Sequence, residues 1–89
     1  MSGTVKLVLV GLGLIGKRHA DVIVKIKSAE LTAIVDPSKD AINYARKKGI
    51  IAYHSLEDMF AEQCPDGIIL ATPTWMHSEQ ALFCIQRAC

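Results

Sequence analysis

Val5-Lys6-Leu7-Val8-Leu9-Val10, followed by Gly11-Leu12-Gly13-Leu14-Ile15-Gly16, is the stretch that decides the fold. The first six residues form a valine- and leucine-rich run too short for a helix, and so read as a buried strand. The next six match G-x-G-x-x-G. Glycine clusters occur in many turns, so the match alone is weak. Its context gives it weight, because it leaves a strand and opens an amphipathic helix. A plain tight turn accounts for one glycine and leaves two unexplained. A phosphate-binding turn accounts for all three: Gly11 permits the turn, Gly13 lets the backbone approach a pyrophosphate, and Gly16 lets the helix pack close to the sheet. The helix start then offers free N–H groups and its positive dipole end to an anion.

Working outward, strands and helices alternate without a linker, repeat or low-complexity tract. Apolar residues at Ile15, Val22, Ile23 and Ile26 predict a helix over 14–28. Leu31 to Val35 reads as a second strand, ended by Asp36-Pro37-Ser38. Ser38 as N-cap and Gly49 at C′ bound a second helix that turns Ile42 and Ala45 inward. Ile50 to Tyr53 is a short third strand. Ser55 with Asp58 three residues on opens a third helix over 56–63. Gly67 to Ala71 is a fourth strand, broken by Thr72-Pro73-Thr74, and Thr74 is placed to cap a last helix over 75–88. Strands apolar on both faces imply a parallel sheet covered on both sides. Right-handed crossovers then give an α/β doubly wound (Rossmann) sheet in three αβα layers, with strand order 3-2-1-4. Residues 1–89 read as one partial dinucleotide-binding domain. Strand four is left at an open edge where a whole domain adds further strands, an edge through which two copies could associate.

Asp36 is the second candidate element. It lies twenty residues after Gly16, at the carboxyl end of strand two, where a carboxylate accepts hydrogen bonds from an adenosine ribose. The same carboxylate repels a 2′-phosphate, which favours NAD. NADP stays open through Lys39, near enough to meet such a phosphate if the loop bends inward. The alternative, a turn-forming Asp before Pro37, is common by itself. The glycine loop and Asp36 together weigh against it. The third element is the loop Ala71-Thr72-Pro73-Thr74, at the carboxyl end of strand four near the switch in strand order. From spacing alone, a plain proline turn and a cofactor contact are equally good readings of it.

Composition excludes several other functions. A net charge of +1 gives no pull toward nucleic acid or acidic membranes, and the densest basic run, Arg46-Lys47-Lys48, suits the end of a helix. The longest apolar stretch, Leu7 to Ile15, is interrupted by glycines and far below the ~20 residues of a membrane span. No secretory signal is recognisable, so the expected location is the cytoplasm. Three cysteines without CxxC spacing suggest neither a disulfide framework nor a metal site, and read as small hydrophobes.

Val8-Leu9-Val10-Gly11-Leu12-Gly13-Leu14-Ile15-Gly16, then His19-Ala20, then Val35-Asp36-Pro37, resembles the start of the Gfo/Idh/MocA oxidoreductases, the relatives of glucose-fructose oxidoreductase and inositol dehydrogenase. Ile69-Leu70-Ala71-Thr72-Pro73-Thr74-Trp75-Met76-His77, followed by Gln80-Ala81, resembles that family's second hallmark, a Thr-Pro turn before a helical His. The resemblance spans essentially the whole chain. It implies a protein that binds NAD or NADP and moves a hydride to or from a sugar, inositol or related hydroxy compound. It also implies cofactor contact by Gly11, Gly13, Leu14, Ile15, Gly16, Asp36, Thr72 and Pro73, with Thr74, Trp75 and His77 toward the nicotinamide.

In the family the helix after the Thr-Pro turn leads to a fifth strand ending in Glu-Lys-Pro, whose Lys serves catalysis, and then to a substrate-binding domain. This sequence ends at Cys89, before that strand. The expectation is a chain that binds dinucleotide, meets its sugar or polyol substrate only as part of a longer protein, and carries no catalytic residue of its own. A non-enzymatic dinucleotide-binding or redox-sensing module that pairs with another chain is the alternative. Of the histidines, His19 is expected on the helix face toward the sheet, and His54 in a loop near the adenine end. His77 has two equal readings, a site residue beside the Thr-Pro turn or an ordinary first-turn helical His. Three dispersed histidines make no metal site.

Overall fold

The computed structural model describes residues 4–72 and 76–87. The elements follow in the order β1 (Val5–Val10), α1 (Leu14–Ile23), β2 (Ala29–Val35), α2 (Lys39–Lys48), β3 (Ile51–Tyr53), α3 (Leu56–Glu62), β4 (Gly67–Leu70) and α4 (His77–Gln86). The strands form one sheet in the order β3-β2-β1-β4, all pairs parallel, as the crossover argument requires. Leu9, Ile34, Ala20, Ile23, Ala41 and Ala45 pack on the face covered by α1 and α2. Val8, Val10, Ala33, Val35, Tyr53 and Met59 pack on the other, under α3. The Phe60 and Phe83 rings, 6.2 Å apart, bring α4 to that same side. A bulge at Thr32 interrupts the β1–β2 register. It switches the alternation, so that Leu31 faces α1 and α2 while Ala33 and Val35 face α3.

The helix boundaries were set as expected where capping chemistry is local. Ser38 Oγ accepts from the Ala41 N–H, Ser55 Oγ accepts from the Asp58 N–H, and Gly49 takes φ 71° to close α2. Ala45 is buried as expected, whereas Ile42 is only half-buried and Ala41 fills the inward position.

The first helix differs from its expectation. It ends at Ile23 rather than near residue 28, and β2 begins at Ala29. Val5 pairs with Ala29, and the Val5 N–H donates to the Ser28 carbonyl, so the chain must be back at the start of β1 by then. A fifteen-residue helix rises about 22 Å, against about 20 Å for the six residues of β1, which leaves no chain for the return turn. The inward stripe of α1 runs through Gly16, Ala20 and Ile23. Val22 and Ile26 consequently face solvent, and His19 is exposed rather than turned toward the sheet. Cys64 is disulfide-bonded, a correction to its reading as a small hydrophobe, while Cys84 is a free thiol. Among the described residues no helix is long and apolar enough to cross a membrane, and no three His, Cys, Asp or Glu side chains gather to hold a metal.

Candidate functional site

The sheet ladders continue past the strand ends in three places. Gly11 N–H donates to the Val35 carbonyl, Asp36 N–H to the Tyr53 carbonyl, and Ala71 N–H to the Val10 carbonyl, at 2.8, 2.9 and 2.8 Å. Three loops therefore leave the carboxyl edge of the sheet side by side. They border a cleft of about 280 Å³ that reaches from Gly11 and Asp36 to Thr72, with His54, Met76 and Gln80 also on its wall.

The glycine loop is built by close backbone approach. Gly11 has φ +89°, a left-handed conformation that side chains resist. A Cβ there would meet Thr72 Cγ2 at 2.8 Å, so the first hallmark presses directly against the second. At Gly16 a Cβ would sit 2.3 Å from the Gly11 carbonyl oxygen. At Gly13 it would meet nothing within 4 Å. Gly11 and Gly16 are thus glycines because the protein crowds them. Gly13 has no such internal reason, and its open side is where a ligand could approach. Gly13 is also the N-cap of α1, where no side chain caps the helix and no acidic residue enters the first turn. The Lys17 N–H takes the Gly13 carbonyl, leaving the backbone N–H groups of Leu14, Ile15 and Gly16 without an intrahelical acceptor. The end of the helix is therefore electropositive and free for an anion.

Asp36 faces this loop. Its Oδ2 accepts from the Leu12 N–H at 2.8 Å and its Oδ1 from the Ser38 N–H at 2.8 Å. Burial pushes the carboxyl up, but the two backbone donors and the Ser38 hydroxyl outweigh it and hold the group below its ordinary value. The side chain is therefore ionised at neutral pH, fixed in orientation, and keeps acceptor capacity for a further donor. Leu12 was given no role in the motif. Its side chain is buried in the core while its N–H anchors the carboxylate.

Thr72 is held from α4. Its hydroxyl donates to Gln80 Oε1, and its carbonyl accepts from His77 Nε2 at 2.6 Å. His77 thus stands against Thr72, with one ring nitrogen already engaged. Pro73 and Thr74 lie outside the described residues, as does Trp75. Gly11, Asp36 and Thr72 come together as anticipated. His54, expected in a loop near the adenine end, lies on the cleft wall with Asp36, whereas Gln80 was not singled out for it. The spacing of Gln80 three residues after His77, on the same helix face, was the available signal.

Over residues 5–89 the chain matches the model of the Gfo/Idh/MocA oxidoreductase family with an NAD-binding Rossmann fold. It is 36% identical over 84 residues to 4-carboxy-2-hydroxymuconate-6-semialdehyde dehydrogenase of Sphingobium sp. strain SYK-6, an alignment covering 90% of this chain and 26% of that protein. The crystal structure of scyllo-inositol dehydrogenase from Lactobacillus casei with bound NAD(H) and scyllo-inositol superposes with a TM-score of 0.86 at 29% identity, over 94% of this chain and 26% of that one. The WlbA dehydrogenase of Bordetella pertussis, in complex with NADH and UDP-GlcNAcA, superposes with a TM-score of 0.86 at 35% identity, over 94% and 27%. The chain spans about a quarter of the length of these relatives.

Proposed function

The chain belongs to the Gfo/Idh/MocA oxidoreductase family, with its NAD-binding Rossmann fold, and from that premise we propose that it is the cofactor-binding part of a dehydrogenase acting on a sugar, inositol or related hydroxy compound. The observation that carries this reading is an ionised, oriented Asp36 hydrogen-bonded to the Leu12 N–H of the glycine loop, in which the next residue, Gly13, is uncapped and unobstructed. The Gly11–Gly16 backbone, including the N–H groups of Leu14 and Ile15, takes the pyrophosphate. Asp36 takes the adenosine ribose and, being anionic, disfavours a 2′-phosphate. Thr72, with Pro73 and Thr74 on the strength of the family resemblance, borders the nicotinamide half, and His77 supports that turn. A bound nicotinamide cofactor supplies the hydride chemistry. Choice of substrate and the proton-transfer group are assigned to no residue of this chain, and we place them in a substrate domain of a longer protein.

Calorimetric titration with NAD, NADH and NADP tests the reading. Saturable binding of NAD and NADH is expected, with NADP weaker. Gly13→Ala is expected to weaken NAD binding at least tenfold, about 1.4 kcal/mol. Its Cβ enters the space a pyrophosphate needs, yet meets no protein atom within 4 Å, so the melting temperature should hold. A cooperatively melting chain that binds none of the three dinucleotides would sink the proposal.

A second reading, a dinucleotide-binding module paired with a separate chain, is favoured by one observation. All four residues of the edge strand β4 are only half-buried, α4 buries none of its residues, and Leu82 and Ile85 are exposed. Sedimentation over a range of concentrations decides whether this edge draws in a second copy: a concentration-dependent dimer is the expected result on that reading, and a monomer throughout removes self-pairing.

A further inference from the structure

Thr72 is gripped at two points by one face of α4. Its hydroxyl donates to Gln80 Oε1 and its carbonyl accepts from His77 Nε2, two side chains three residues apart on the same helix. The consequence is directional. A threonine hydroxyl and methyl share Cβ, so fixing the hydroxyl on Gln80 fixes the methyl as well. That methyl is the Cγ2 atom that closes on Gly11. No residue of α4 is fully buried; besides the Phe60–Phe83 ring contact, its two side-chain contacts to Thr72 tie it to the end of β4. The backbone bond from the Ala71 N–H to the Val10 carbonyl fixes the end of β4 beside the glycine loop, and the contacts to Gln80 and His77 set how Thr72 is turned there.

We propose that Gln80 is a positioning residue for the dinucleotide site, acting through Thr72: by accepting from the Thr72 hydroxyl it selects the rotamer that seats the Thr72 methyl on Gly11 and so sets the shape of the cleft wall. The proposal rests on the reading of this cleft as the dinucleotide site. It adds a residue that the glycine fingerprint and the ribose carboxylate do not include, and a reason why the two hallmarks work as a unit.

The test is a set of NAD dissociation constants and melting temperatures for the chain and its variants Gln80→Leu, Gln80→Glu, Thr72→Val and the Thr72→Val/Gln80→Leu double. Gln80→Leu should weaken NAD binding about tenfold, the scale of one lost hydrogen bond with its dependent geometry. Gln80→Glu keeps an acceptor for the Thr72 hydroxyl and should recover binding to within about threefold of the parent. In the Thr72→Val background, which has no hydroxyl to position, adding Gln80→Leu should cost nothing further. Binding by Gln80→Leu equal to the parent would overturn the proposal. So would failure of Gln80→Glu to recover binding, or a full additional loss in the double variant. A parent chain that binds no dinucleotide would overturn the reading of the cleft itself, which is a different result from a parent that binds and a Gln80→Leu variant that binds equally.

Discussion

Gly16→Ala is expected to lower the melting temperature by roughly 15 °C and to abolish dinucleotide binding. The added Cβ would lie 2.3 Å from the Gly11 carbonyl oxygen and 3.1 Å from its carbon. Both are backbone atoms, so no rotamer change relieves the contact. Gly11 cannot retreat, because its N–H is tied to the Val35 carbonyl and its far side is already closed by Thr72 and Ala71. The helix must move instead, and it carries Ala20 and Ile23 out of the core with it. Overpacking of this kind costs about 3 kcal/mol, and in a domain of this size each kcal/mol shifts melting by about 4–8 °C. Helix propensity works the other way, favouring Ala over Gly by about 1 kcal/mol, so any fall measures the clash in excess of that gain. Gly49→Ala is the control: φ is also positive, but nothing lies within 4 Å, and only the left-handed strain of about 1 kcal/mol remains. Thermal unfolding followed by circular dichroism checks both. An unchanged melting temperature for Gly16→Ala would mean that the strand-to-helix turn has slack the geometry does not show.

The same contact explains what could be read from the sequence and what could not. The order of strands and helices, the capping by Ser38 and Ser55, and the left-handed Gly49 were legible because each depends on residues a few positions apart. The strand order followed from parallel crossovers of one hand. On α1, Ile23 faces inward and Gly16 is closely packed as read, whereas Val22 and Ile26, assigned to the same stripe, face solvent. Ala20, which completes the inward face, is small and carries little hydropathy signal, and the large apolar Val22 and Ile26 drew part of the stripe around the helix in its place. Close helix–sheet approach demands small residues, so such packing is poorly visible in a hydrophobicity pattern. Of the candidate site, Gly11, Gly13, Gly16, Asp36 and Thr72 were legible as motif positions. The anchoring of Asp36 by the Leu12 N–H and the grip of Gln80 on Thr72 were not, since both depend on loops that only the folded sheet brings together.

Asp36→Asn should weaken NAD binding about a hundredfold while weakening NADP much less, so that the preference between the two narrows or reverses. Two ribose hydroxyls would donate to the carboxylate, and hydrogen bonds to a charged acceptor contribute about 1.5–3 kcal/mol each. The amide keeps one acceptor oxygen, but its NH2 must then face the N–H of either Leu12 or Ser38, donor against donor. It also removes the negative charge that repels a 2′-phosphate. The pH dependence of stability separates this from a general loss of fold. Burial raises the Asp36 pKa, the donors of Leu12 and Ser38 lower it by more, and the net value lies below the ordinary 3.8. A carboxyl depressed on folding contributes stability that is present above the unfolded value near 3.8 and is lost as pH falls through the folded value. Urea unfolding should therefore show the parent more stable than Asp36→Asn by a constant margin from pH 7 down to about pH 5. The margin should shrink below the unfolded value as the parent's carboxyl protonates. A margin independent of pH down to acid unfolding would mean that Asp36 is not held ionised by these donors and has no fixed charge with which to repel a 2′-phosphate.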